Sequence, residues 1–231
     1  VSKLAIPEPI SAGLLLSYKC TSRCRHCLYA CSPTWKADWL SLDDAEVILT
    51  QLAPTLRGGS GHLGVNEGLH LTGGEPFLNF DLLLEVTDVA NRLGIRSTFV
   101  ETNCSWCTDD QTTLEKLTQL KQAGLQGILI SANPFILEYV PFERTLRAAR
   151  ISSEVFAGDV MVYQPFFYRQ FQQMGLDGTL PLEAYLQEEA YGLQYAELLP
   201  GGRVSYALGH LFRKHRAEHF FAASCRHELI R

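Results

Sequence analysis

Cys20, Cys24 and Cys27 stand in a C-x3-C-x2-C spacing within one short stretch of this chain. Three thiolates so close in sequence can hold three irons of a [4Fe–4S] cube, whereas a closed cluster takes four Cys ligands. The fourth iron is then open to another molecule. An open iron beside a pocket means chemistry rather than simple electron storage. Zinc is a competing reading, because three Cys supply most of a tetrahedral site. Structural zinc, however, is ordinarily held by paired C-x2-C or C-x2-C with H-x3-H units. A set of buried thiols packing as small hydrophobes is the third reading.

Gly73-Gly74-Glu75-Pro76 is the second group of interest. Two glycines let the backbone come close to a ligand, Glu75 brings a carboxylate to the same place, and Pro76 stiffens the exit. Alone, this tetrapeptide reads as a turn. It follows a short apolar run, however, one strand–helix unit after the cysteines.

Together, Cys20-Thr21-Ser22-Arg23-Cys24-Arg25-His26-Cys27 and the later Gly-Gly-Glu-Pro resemble the radical S-adenosylmethionine (radical SAM) superfamily of CxxxCxxC type. The resemblance implies that Cys20, Cys24 and Cys27 bind a [4Fe–4S] cluster. Its open iron is chelated by the amino and carboxylate groups of S-adenosylmethionine. An electron from the reduced cluster then cleaves the sulfonium, releasing a 5′-deoxyadenosyl radical that abstracts hydrogen from a substrate C–H bond. By the same resemblance, Gly73, Gly74, Glu75 and Pro76 receive the cofactor's amino end. Thr102 and Asn103 stand where the family often has a Thr-Asn pair near the ribose or carboxylate, and Ser131 with Asn133 ends the next strand; ordinary strand capping is the other reading of these positions. His26 stands where the family usually has an aromatic ring near the adenine. Glu138-Tyr139-Val140-Pro141 resembles a helix-opening E-x-V-P, for which a proline at a helix start is sufficient explanation. The reductant implied is a flavodoxin- or ferredoxin-type donor.

Four cysteines lie outside the triplet. Cys104 follows Asn103, where glycine is common in the family, and forms C-x2-C with Cys107. These two read first as structural thiols. Alternatively they bind an auxiliary cluster or zinc with Cys31 or Cys225, or Cys104 donates hydrogen to a substrate radical.

The elements that must position these groups follow from periodicity. Short apolar runs alternate with segments of helical period, the pattern of βα units on a parallel sheet. Strands are predicted at 13–17, 69–72, 97–102, 127–131, 159–163 and 194–199. Helical spacing is evident in Leu42–Leu52, Leu82–Leu93, Leu114–Ala123 and 145–156, with Ser41 and Asp44 as a cap and Gly94 as a stop. Residues 57–64 are Gly-rich and are read as a mobile loop. The fold expected is α/β: a partial (β/α)6 TIM-like barrel over 1–203, its site at the strand ends. Residues 204–231 are read as a short C-terminal extension, the start of a truncated or disordered auxiliary region. The chain begins with Val1 rather than Met, as a trimmed chain would.

Composition narrows the partners. A net charge of −5 gives no broad nucleic-acid footprint, and 46% hydrophobic residues in 231 supply one sizeable core. No apolar run reaches the length of a membrane span and no secretory pattern is present, so a cytoplasmic protein is expected. The basic tail carries His215 and His219 at i, i+4, more simply a solvated helix than a metal site. Glu101, Tyr163 and Arg203 are the expected substrate contacts. The substrate itself is a peptide, protein or small molecule. A peptide or protein is favoured, a small-molecule tailoring enzyme comes next, and a non-catalytic iron–sulfur or zinc protein is the alternative outside enzymology.

Overall fold

The computed structural model describes residues 8–36, 38–56, 63–212, 216 and 218. Strands β1 (Ser11–Leu15), β2 (Gly68–Thr72), β3 (Phe99–Thr102), β4 (Gly127–Ser131) and β5 (Val160–Tyr163) form one sheet in the order β1-β2-β3-β4-β5. Every neighbouring pair is parallel. Helices α1 (Leu42–Leu56), α2 (Phe80–Arg92), α3 (Asp110–Gln122) and α5 (Phe142–Val155) make the long crossovers, with the short α4 (Pro134–Leu137) leading into α5. After β5 come α6 (Pro165–Gln173), α7 (Leu182–Glu188) and α8 (Val204–Ala207). The result is an open, partial α/β barrel.

Side chains alternate along each strand, as the pleat requires. Leu14, Leu69, Leu71, Val100, Ile128 and Ile130 face the helices and join Leu49, Leu83, Val86, Leu117 and Ile151 in the main core. The alternate residues look inward, and register brings His70 beside Phe99, Glu101 beside Leu129 and Ser131 beside Tyr163. A second core gathers Phe135, Phe142, Phe167, Phe171, Leu182, Tyr185, Val204 and Leu208, and Cys24 belongs to it.

Helix ends follow local chemistry. Ser41 Oγ accepts from the Asp44 amide at 3.1 Å and donates to its carboxylate at 2.7 Å. Gly94 has φ 73°, its N–H donates to Asn91, and the Ile95 N–H reaches back to Ala90. That reciprocal pair ends α2 in a Schellman motif. Gly124 and Leu125 repeat it for α3.

The sixth strand expected at 194–199 is not formed. Gly192–Tyr195 is a 3-10 turn, and Leu193, Ala196 and Leu198 pack on the second core while Tyr195 stacks against Phe166. The segment has no β-branched residue, so nothing favours a pleated surface over that packing. The described sheet therefore has five strands where the sequence suggests six. The predicted tail helix with His215 and His219, Cys225, and most of the 57–64 loop lie outside the described residues.

Candidate active site

The cysteine stretch leaves β1 and is closed by its own backbone. Cys20 N–H donates to Ser32 O and Ser32 N–H to Tyr18 O, each at 3.3 Å, beside a Lys19–Ser32 bridge. Cys20, Cys24 and Cys27 all line a cavity of about 280 Å³ at the strand ends. Cys31 lines it too, its N–H donating to Cys27 Sγ at 3.3 Å and its thiol to the Gly73 carbonyl at 3.5 Å. Burial, then the nearby Glu75, pushes the Cys20 thiol up to about 11, and burial raises Cys24 as well. Bonds from Cys31 bring Cys27 down to about 6 despite burial, with help from Arg203.

The two glycines have a reason the sequence does not show. A Cβ on Gly74 would stand 1.8 Å from Lys19 O, and one on Gly73 2.4 Å from Ser17 O. Gly74 N–H donates to Ser17 O at 2.7 Å and Glu75 N–H to Lys19 O at 2.9 Å. The glycines thus let the Gly-Gly-Glu turn lie directly on the start of the cysteine loop. Both also line the cavity.

Glu75 is only 1% exposed and caps the 3-10 turn Pro76–Asn79. Its carboxylate accepts from Thr102 Oγ1 and Asn103 N–H at 2.9 Å and from Phe77 N–H at 3.3 Å. Burial outweighs those donors and pushes its pKa up to about 7. Asn103 in turn donates to Thr21 Oγ1 at 3.1 Å, Ser22 Oγ at 3.4 Å and Cys20 Sγ at 3.6 Å. Glu75 and Pro76 lie beneath the cavity lining, while Gly73, Gly74, Thr102, Asn103, Ser131 and His26 form part of it.

His26 is held in one state. Asn133 Oδ1 accepts from the Phe135 and Ile136 amides, so its Nδ2 faces His26 Nε2 at 3.1 Å as the donor. Burial lowers the His26 pKa to about 4, so the ring is neutral and its proton sits on Nδ1. That buried Nδ1 has no partner among the described residues, and the ring stacks on Phe135 at 4.9 Å. A neutral donor is left for a ligand.

The opposite wall is acidic. Glu101 accepts from Thr72 Oγ1 at 2.9 Å and Ser131 Oγ at 3.1 Å, and His70 Nε2 lies 3.2 Å away. Burial would raise Glu101, but His70 and the hydroxyls hold it below the usual carboxylate range. Tyr163 donates to Glu197 at 3.1 Å, and both line the cavity. No Lys or Arg is among the described lining residues.

Other expectations sort by position. Cys104 and Cys107 are fully buried in the main core, outside the cavity lining. Cys104 adopts φ 65°, which explains why glycine suits that position. Glu138 pairs with Arg25 of the cysteine loop at 3.1 Å, and Pro141 precedes α5. Arg203, expected to touch substrate, instead donates to carbonyls of the cysteine loop. Its role had no local sequence signal, since it acts across more than 170 residues. Among the described residues no three His, Cys, Asp or Glu side chains meet at one metal-ion position. A single zinc draws its thiolates to about 2.3 Å from one point, whereas a cube holds its ligands on separate irons.

An open parallel α/β barrel with three cavity-lining thiols at its strand ends defines a class, and comparison with known proteins agrees. The Radical SAM superfamily matches residues 14–173, and the chain belongs to that family. Its cofactors are accordingly a [4Fe–4S] cluster and S-adenosylmethionine. A GTP 3',8-cyclase of Paenarthrobacter nicotinovorans is 28% identical over 190 residues, 81% of this chain and 50% of that protein. GTP 3',8-cyclase 3 of Mycobacterium bovis (strain ATCC BAA-935 / AF2122/97) is 28% identical over 115 residues, 49% of this chain and 28% of that one. The chain thus spans about half the length, or less, of these curated relatives. Among solved structures, methylornithine synthase (PylB) aligns with a TM-score of 0.45 at 17% identity, covering 66% of this chain and 42% of that one. HydG, a maturase of the [FeFe]-hydrogenase, gives 0.48 at 17% identity, covering 73% and 40%. No described helix is long and apolar enough to cross a membrane.

Proposed function

We propose that this chain is a radical SAM enzyme that removes a hydrogen atom from a side chain of a peptide or protein. The observation that carries the reading is one shared cavity: three spaced thiols on one wall, and Glu101, Ser131 and Tyr163 on another. When bound, the cluster and S-adenosylmethionine supply the electron and the 5′-deoxyadenosyl radical. Cys20, Cys24 and Cys27 hold the cluster. Gly73 offers its carbonyl and His26 its Nδ1–H to the cofactor, while Thr102 and Asn103 line the wall beside it. Glu75 acts from below by fixing Thr102 and Asn103.

The substrate reading rests on the other wall. An ionised Glu101 with Glu197 nearby favours a hydrogen-bond-donating or cationic group. A triphosphate, as in the GTP of the relatives' names, would meet carboxylates there without a described Lys or Arg. Leu28, Tyr29, Val65 and Leu199 form an exposed apolar rim on the same cavity, which suits a chain laid across the mouth with one side chain inserted. A flavodoxin- or ferredoxin-type protein would supply the electron.

The test is anaerobic reconstitution with iron and sulfide, followed by dithionite and S-adenosylmethionine. Formation of 5′-deoxyadenosine that disappears in Cys20→Ala, Cys24→Ala and Cys27→Ala is expected. A full cluster that never yields it, with or without a library of Lys-, Arg- or amide-bearing peptides, would overturn the enzymatic reading. Stimulation of turnover by such peptides should fall at least ten-fold in Glu101→Gln. Stimulation by GTP instead would favour the small-molecule reading.

A further inference from the structure

Arg203 lies just before α8 and is 5% exposed. Its Nη1 donates to Cys24 O at 2.7 Å, and its Nη2 to Ala30 O at 2.8 Å and Cys31 O at 2.7 Å. Its backbone N–H donates to Cys27 O at 2.9 Å. One residue therefore binds four carbonyls of the 24–31 segment, which carries two of the three cluster thiols. The approach is tight: Gly202 has φ 53°, and a Cβ there would stand 2.0 Å from Leu28 O. Among the described residues no carboxylate forms an ion pair with Arg203. A buried cation without an anionic partner is strongly disfavoured. Its guanidinium sits instead on the backbone of Cys24, one of the residues whose thiolates this loop would give to iron.

We propose that Arg203 is a positioning residue that clamps the cluster loop and serves as the buried counter-charge of the thiolate-bound cluster, raising its reduction potential. Reduction adds an electron to an already anionic cluster. A fixed positive charge nearby favours the reduced form, and charge is among the factors that set iron–sulfur potentials. The planar fork and the charge are separable. Lysine keeps the charge but has only a compact ammonium to meet carbonyls that a guanidinium spans.

The proposal rests on the cluster assignment above, and its test keeps the two apart. Wild-type protein is first reconstituted and its iron counted; failure to bind a cluster would sink the assignment itself. Arg203→Gln and Arg203→Lys are then loaded, their midpoint potentials titrated by electron paramagnetic resonance, and exchange of the 24–31 amides followed before loading. Arg203→Gln should shift the midpoint to more negative values and speed loop exchange at least ten-fold. Arg203→Lys should retain a midpoint near wild type while still exchanging faster. An unchanged midpoint in loaded Arg203→Gln would overturn the counter-charge role, as would a fall in Arg203→Lys. Unchanged loop exchange in both would overturn the clamp. If Arg203→Gln does not fold, Arg203→Met supplies the uncharged midpoint by the same criterion, and the lysine variant decides the clamp by its loop exchange.

Discussion

Glu75 is buried beside three donors, yet burial still lifts its pKa to about 7. The native state therefore favours the protonated form more than the unfolded chain does. The stability this contributes is fully present below the unfolded value near 4.5 and is lost as pH rises through about 7. Glu75→Gln should remove that slope, so the difference in melting temperature between wild type and variant should change between pH 4.5 and 8 in calorimetry. The variant should also lose about 1–3 kcal/mol near neutral pH, because an amide nitrogen cannot accept from the Asn103 N–H if the oxygen keeps Thr102. A pH-independent difference would remove the titration of Glu75 from the account. At the same scale, some residues could be read from sequence and others could not. Cys20, Cys24 and Cys27 announce themselves by spacing. His26 does not reveal its tautomer, because Asn133, which fixes it, is set by the start of a separate helix.

The elements were legible wherever pattern and local chemistry coincide. The apolar run of β4 has the same bounds in sequence and structure, 127–131. The Asp109 side chain caps α3 by accepting from the Thr112 amide at 2.7 Å, and Asp109→Ala should lower the denaturant midpoint of unfolding with no loss of iron. Residues 194–199 misled because Tyr195, Leu198 and Leu199 satisfy an apolar pattern, yet Ala196 and Leu198 pack on the second core and the segment does not pair with the open edge of β5. Turn chemistry was legible at Gly73-Gly74, but its object was not. Those glycines make room for Ser17 and Lys19 as well as opening toward the cavity. Gly74→Ala should consequently lower cluster occupancy several-fold by iron analysis even where the protein still folds. Full occupancy in a folded Gly74→Ala would show that the turn and the cysteine loop move independently.

On the scale of the whole molecule, two cores divide the labour. The main core holds the sheet against its long helices, and the second core holds the side of the cysteine loop that carries Cys24. Phe171 sits in the second core with edge-on contacts to Phe142 and Tyr185, at 5.4 and 6.0 Å between ring centres. Phe171→Ala should cost about 3–5 kcal/mol and, because Cys24 shares that core, reduce iron binding as well. A loss of stability with normal iron binding would mean the loop is held without that core. The Cys104–Cys107 pair has the opposite character, since both thiols are sealed in the main core. An alkylating reagent can reach them only when the sheet–helix packing opens. Their labelling rate is therefore a built-in clock for the global opening of this molecule, readable by mass spectrometry in the native protein without denaturant.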